Sequence, residues 1–298
     1  MFSSLKIAVA LLSALAVSAV PTTLESRQSL AQLSTAQVSS FKPYSWFASS
    51  SYCSPSSIIR WNCGANCNAN RDFIPVAAGG DGSSVQYWYV GYSPSLGSVI
   101  VGHQGTDSSE IQAWLTNVDA FLDTLSPSLF PGLSASIQAH SGFAEVQAQT
   151  ATTILSAVKA TISAYGAKKV TSVGHSLGAA LALLDAVYLP LHISGVSFSF
   201  VGYGMPRVGN QAFADYVDAH LSVTHINNKQ DLVPILPGRF LGYHHSSGEV
   251  HIQESGTWVS CPGQDNTSDQ CTVGAVPNIF EGSTSDHGGP YDSVYMGC

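Results

Sequence analysis

Apolar and polar positions follow two rhythms along this chain. Over residues 84–91 the apolar positions Val85, Tyr87 and Tyr89 alternate with a period of two; a Ser-Pro-Ser-Leu-Gly turn and the apolar run over 98–102 follow, which predicts a β-hairpin. From 143 to 165 the period lengthens: Ile154, Val158 and Ile162 share one helical face, and Gly166 is placed to end the helix. Val170-Thr171-Ser172-Val173 reads as a short buried strand, and 177–189 is an Ala- and Leu-rich helix that Pro190 stops. Residues 196–201 form a strand, 211–220 a helix, and 223–226 and 250–252 two further strands. Strands alternating with helices predict an α/β fold with a mostly parallel central sheet and helices on both faces.

Composition narrows the class. With 11 Lys+Arg, 19 Asp+Glu, 45% apolar residues and a formal charge of −8 in 298 residues, the chain can build a large core. Disorder is excluded, and so is a nucleic-acid partner, because no basic excess exists to neutralise phosphates. At the N-terminus, Lys6 precedes an apolar run over 7–17 and then Val17-Ser18-Ala19, the pattern of a secretory signal peptide over 1–19. The run falls short of the roughly 20 apolar residues of a membrane anchor. Residues 20–298 are expected to fold as a single domain, secreted, extracellular and monomeric, with a short propeptide to about Arg27 as the alternative start.

Six cysteines suit an oxidising compartment. The closeness of Cys63 to Cys67 and of Cys261 to Cys271 suggests two local loops, which leaves Cys53 to pair with Cys298. A zinc site at Cys63 and Cys67 is disfavoured, because the pair lacks the C-x2-C spacing. Asn266-Thr267-Ser268 is an N-glycosylation sequon within the Cys261 to Cys271 loop.

Candidate chemistry centres on Gly174-His175-Ser176-Leu177-Gly178, a G-x-S-x-G pentapeptide between a predicted strand and a predicted helix. The glycines allow a sharp turn that exposes the Ser176 hydroxyl beside helix N–H groups, as a nucleophile requires. A serine needs a histidine to take its proton and an acid to orient that histidine, in the chain order Ser, Asp, His. Asp185 lies nine residues along the same helix, about 13 Å away, too far to serve. Asp215 and Asp218 fall on a helix whose solvated face suits them. Asp231 is better placed, on a loop after a strand and before Pro234. Of the histidines that follow, His251 reads as part of a strand and His244 with His245 as packing groups. His287 lies in the flexible loop Asp286-His287-Gly288-Gly289-Pro290 and is the best placed of the four to be the base.

These residues resemble the fungal class 3 lipase family, an α/β-hydrolase group that includes feruloyl esterases. Tyr203-Gly204-Met205-Pro206-Arg207-Val208-Gly209-Asn210, Asn228-Lys229-Gln230-Asp231-Leu232-Val233-Pro234 and His140-Ser141-Gly142-Phe143 are similar to family blocks, as is the disulfide pattern. The resemblance implies Ser176 as nucleophile, Asp231 as orienting acid and His287 as base. It implies oxyanion donors on Leu177 and Thr106, although Gln104 stands where the family usually has Arg. The helically spaced Ile111, Trp114, Leu115, Val118, Leu122 and Leu125 fall in the family's lid. The implied activity is that of a triacylglycerol lipase working through an acyl-enzyme, on an ester substrate at a lipid–water interface. A feruloyl esterase, favoured by the polar Asp107, Ser108, Ser109 and Glu110, and a catalytically dead binding module are the alternatives. The mechanism calls for no metal or organic cofactor.

Overall fold

The computed structural model describes residues 29–106 and 121–298. The expected leader, the propeptide and most of the lid stripe lie outside the described residues. Of that stripe only Leu122 and Leu125 are described, and they are not helical: Leu122–Thr124 is a strand, β5, paired with β6 (Gln138–His140). Main-chain pairing with β6 thus ends any helix before Leu122, although the apolar spacing runs on to Leu125.

Among the described residues, nine strands form the main sheet in the order β1 (Ala31–Gln32), β13 (Trp258–Cys261), β12 (Glu249–Ile252), β10 (Ser222–Asn228), β8 (Ser197–Tyr203), β7 (Lys169–His175), β4 (Ser98–His103), β3 (Trp88–Ser93) and β2 (Ile74–Gly79). The run from β12 to β4 is parallel, and the pairs at both edges are antiparallel. Alternation divides the strand side chains between two cores. Val90, Val99, Val101, Val170 and Phe200 face the helices α4 (Ser141–Tyr165) and α5 (Leu177–Tyr188). Tyr89, Ile100, Val173 and Val201 face Phe47 and Ala48 of α1 (Thr35–Ser50). Every residue of α5 is buried, Asp185 included, so this helix presents no face to solvent. The central helix therefore starts in the interior, at the end of the central strand.

Local signals set the helix ends. Ser34 and Gln37 form a capping box at the start of α1, and Gly166 ends α4 in the left-handed conformation, φ 62°. Two short helices, α2 (Pro55–Ile58) and α3 (Ala65–Ala69), join α1 to β2, and α6 (Gln211–His220) leads into β10. A second sheet of four short strands runs β11 (Tyr243–His244), β9 (Gly209–Asn210), β6, β5. Three disulfides are present: Cys63–Cys67, Cys261–Cys271 just ahead of α7 (Thr272–Ala275), and Cys53–Cys298, which ties the chain's last residue to the segment after α1. No described helix is long and apolar enough to cross a membrane.

Candidate active site

Strand β7 ends at His175 and α5 begins at Leu177, so Ser176 alone makes the turn. Its φ of 58° is rare for a residue with a Cβ. The flanking glycines are required by close approach. A Cβ on Gly174 would lie 2.2 Å from the Gly178 carbonyl oxygen, and one on Gly178 would lie 2.3 Å from that of His103. Ser176 is thereby held at the N-terminus of a helix whose first N–H groups have no partner within it.

Asp231 sits three residues beyond β10, fully buried. Its Oδ1 accepts from the Val233 N–H at 2.9 Å, and its Oδ2 accepts from His287 Nδ1 at 2.8 Å. A carboxylate acceptor places the His287 proton on Nδ1 and leaves the lone pair on Nε2. That Nε2 is buried and has no hydrogen-bond partner among the described residues. The pair also explains Gly204, at the end of β8 with φ +51°: a Cβ there would lie 2.9 Å from both Asp231 Oδ2 and the His287 ring.

The link between the serine and the histidine runs through His175. Its Nε2–H donates to the main-chain oxygen of His287 at 2.8 Å, and its Nδ1 accepts from the Tyr52 hydroxyl at 2.6 Å. Tyr291 donates to the same His287 oxygen at 3.0 Å. The rings of His175 and His287 lie 4.3 Å apart. Burial, with the His287 charge as a second cause, holds His175 well below the usual imidazole range, so it is neutral at neutral pH.

Beyond β4, Gln104-Gly105-Thr106 lies against the same turn. A Cβ on Gly105 would lie 2.5 Å from the His175 oxygen and 3.0 Å from the Ser176 Cβ. Gln104 serves locally: its Oε1 accepts from the Tyr87 N–H and its own N–H donates to the Tyr87 oxygen, both at 2.8 Å. The tie between Gln104 and Tyr87 is therefore uncharged. Thr106 follows and is half-buried.

The other residues singled out in the sequence are placed elsewhere. His245 stacks on His225 and donates to the Pro234 oxygen at 2.8 Å; burial lowers its pKa to about 3. His251 bridges the carbonyls of Gln270 and Lys229, and His244 lies 3.5 Å from Asp265. Asp218 caps Ser247, and Asp215 accepts from Gln211 at the exposed side of α6. Asn266 is half-buried, its Nδ2 donating to the Pro262 oxygen and its Oδ1 accepting from Ser268. Among the described residues, Glu249, Cys261 and Cys271 are the group whose spacing would suit a metal, but both sulfurs are in a disulfide and offer no thiolate.

Sequence reasoning gives Arg207 no role, although it lies within the block over 203–210. The guanidinium is buried, bonds Asp265 Oδ1 through Nε and Nη2 at 2.8 Å, and donates Nη1 to the carbonyls of Ile235 and Pro237. It thereby shapes the chain after Asp231. That segment and the one before His287 wall an open groove of about 570 Å³, lined by Ile235, Leu236, Leu241, Val276 and Ile279. Phe240, which also lines it, is 89% exposed, and Phe280, next in the chain to the lining residue Ile279, is 91% exposed.

Comparison with known proteins gives concordant matches. Residues 100–241 match the family described as Lipase (class 3). A secreted mono- and diacylglycerol lipase of Malassezia globosa is 33% identical over 225 residues, covering 74% of this chain and 71% of the relative. Another, from Gibberella zeae, is 32% identical over 223 residues, covering 73% and 69%. Among solved structures, lipase II from Rhizopus niveus superposes with a TM-score of 0.78 at 26% identity, over 90% of this chain and 99% of that one.

Proposed function

The chain belongs to the class 3 lipase family, and on that premise we propose that it is a secreted serine lipase that cleaves acylglycerol esters through an acyl-enzyme. In this reading Ser176 Oγ attacks the ester carbonyl while His287 Nε2 takes its proton, and Asp231 holds the Nδ1–H tautomer and stabilises the imidazolium. The N–H groups of Leu177 and Thr106 receive the oxyanion. Collapse expels the alcohol, which takes the proton from Nε2; water then repeats the sequence and releases the acid. The carrying observation is the 2.8 Å Asp231–His287 bond, which leaves a buried, unpartnered Nε2 beside the turn that holds Ser176.

The apolar groove with its exposed Phe240, and the exposed Phe280 that follows its lining residue Ile279, support an aliphatic acyl chain presented at a lipid–water interface. The names of the relatives support secretion and acylglycerol substrates. Removal of residues 1–19 and a glycan on Asn266 belong to the same reading, and intact mass before and after an N-glycosidase tests both.

The deciding experiment compares initial rates on emulsified acylglycerols and on methyl ferulate, with Ser176→Ala as the blank. A dominant rate on the acylglycerol, abolished in Ser176→Ala down to about 10³- to 10⁴-fold over water, is the expected result. Dominant methyl ferulate hydrolysis would make the protein an aryl-carboxylate esterase with the same machinery. A protein that a serine-directed phosphonate fails to label would be a binding module.

A further inference from the structure

The last residue of β4, His103, is 2% exposed and donates Nε2–H to Asp185 Oδ2 at 2.8 Å. Asp185 is fully buried on α5, and its other oxygen accepts from Gln147 Nε2 of α4, also fully buried, at 2.8 Å. A carboxylate is an expensive group to place in the middle of an apolar helix, and leucine would fill the space without that penalty. Asp185 does not serve the chemistry directly, being about 13 Å along the helix from Ser176.

We propose that His103 is a positioning residue for the oxyanion hole, acting through its bond to Asp185. This rests on the lipase reading above. The two oxyanion donors belong to different elements: Leu177 starts α5, and Thr106 lies three residues beyond His103. Their relative position depends on how the end of β4 sits on α5. The contact there is backbone on backbone, since a Cβ on Gly178 would lie 2.3 Å from the His103 oxygen and 2.6 Å from the Gln104 carbonyl carbon. No side chain fills that contact, so nothing within it resists sliding of one element along the other. The His103–Asp185 bond supplies the resistance: it is directional, it crosses the same two elements, and Gln147 fixes the carboxylate from the far side. An apolar pair would cover the same area with no such directionality.

The test uses the full-length secreted protein and three changes. Asp185→Asn keeps the shape and removes the charge, but sets an amide N–H against one of the two donors. His103→Leu with Asp185→Leu removes the bond and leaves no buried charge. His103→Gln keeps a donor near the place of Nε2. Thermal unfolding confirms that each variant is folded; kcat and KM are read on a soluble short-chain ester, together with the Ki of an alkylboronic acid, whose tetrahedral serine adduct occupies the oxyanion hole.

The first two variants are expected to lose about ten- to a hundredfold in kcat, the range for a small misplacement of catalytic groups. KM should hold within about twofold, boronic acid affinity should fall in step with kcat, and His103→Gln should recover most of the loss. Wild-type kcat in either folded variant, or a kcat loss without loss of boronic acid affinity, would overturn the proposal. Failure of the lipase reading itself shows separately, as a wild-type protein that neither hydrolyses esters nor is labelled by a phosphonate.

Discussion

His175, the residue before Ser176, donates its Nε2–H to the main-chain oxygen of His287 at 2.8 Å. The strand that leads into Ser176 therefore grips the loop that carries His287. Only the neutral Nε2–H tautomer can donate there and still accept from Tyr52 at 2.6 Å through Nδ1, so Tyr52 selects it. Tyr52→Phe is expected to lower kcat about three- to tenfold, the effect of one lost half-buried hydrogen bond. KM on a soluble ester should change little, and steady-state kinetics would check both. Unchanged kcat would show that this tautomer is held without Tyr52.

Gly204 tests how tightly Asp231 and His287 are packed. In Gly204→Ala the new methyl would lie 2.9 Å from Asp231 Oδ2 and from His287 Nδ1, on a backbone with φ +51°. The pair must move apart, and a loss of kcat of about a hundredfold or more is expected. A destabilisation of about 1 kcal/mol should accompany it from the backbone alone. Activity near wild type would mean that the loop carrying His287 yields freely.

Asp265 neutralises the buried Arg207. Asp265→Ala leaves that guanidinium facing only carbonyls, and a destabilisation of about 3 to 5 kcal/mol is expected by urea unfolding. Because the same guanidinium holds Ile235 and Pro237, the groove should distort as well, so KM for long-chain esters should rise more than KM for short ones.

Acid should weaken the fold through its buried neutral histidines. His140 accepts from the Gly142 N–H at the start of α4, and burial lowers its pKa to about 4. Between that value and the ordinary pKa of about 6.5 the unfolded chain binds the extra proton, so stability rises with pH by up to about 1.4 kcal/mol per unit per group. This contribution is complete above pH 6.5 and is lost as pH falls towards 4; His245, lowered to about 3, extends the loss further. His140→Asn keeps an acceptor for Gly142 and removes the proton site. Its unfolding free energy should therefore drop less than wild type between pH 7 and pH 5, and an equal drop would refute the assignment.

What could be read from the sequence was local. The hairpin, the helical period ended by Gly166, and the glycines about Ser176 each depend on neighbours within a few residues, although the first strand of the hairpin is Trp88–Ser93 and not 84–91, so Val85 and Tyr87 precede it where the chain still turns. So does the loop placement of Asp231 and of His287, which follows from turn-forming residues around them. Helix α1 carries too little apolar period around Pro43 to be noticed, and the short strands of the second sheet contain too few residues to alternate. Tertiary structure alone decided the rest, because it depends on distant residues meeting. His175 reaches His287 across 112 positions and His103 reaches Asp185 across 82. No spacing rule connects such pairs: they meet where parallel strands end side by side, and burial there makes each unpaired polar atom costly enough to require its partner.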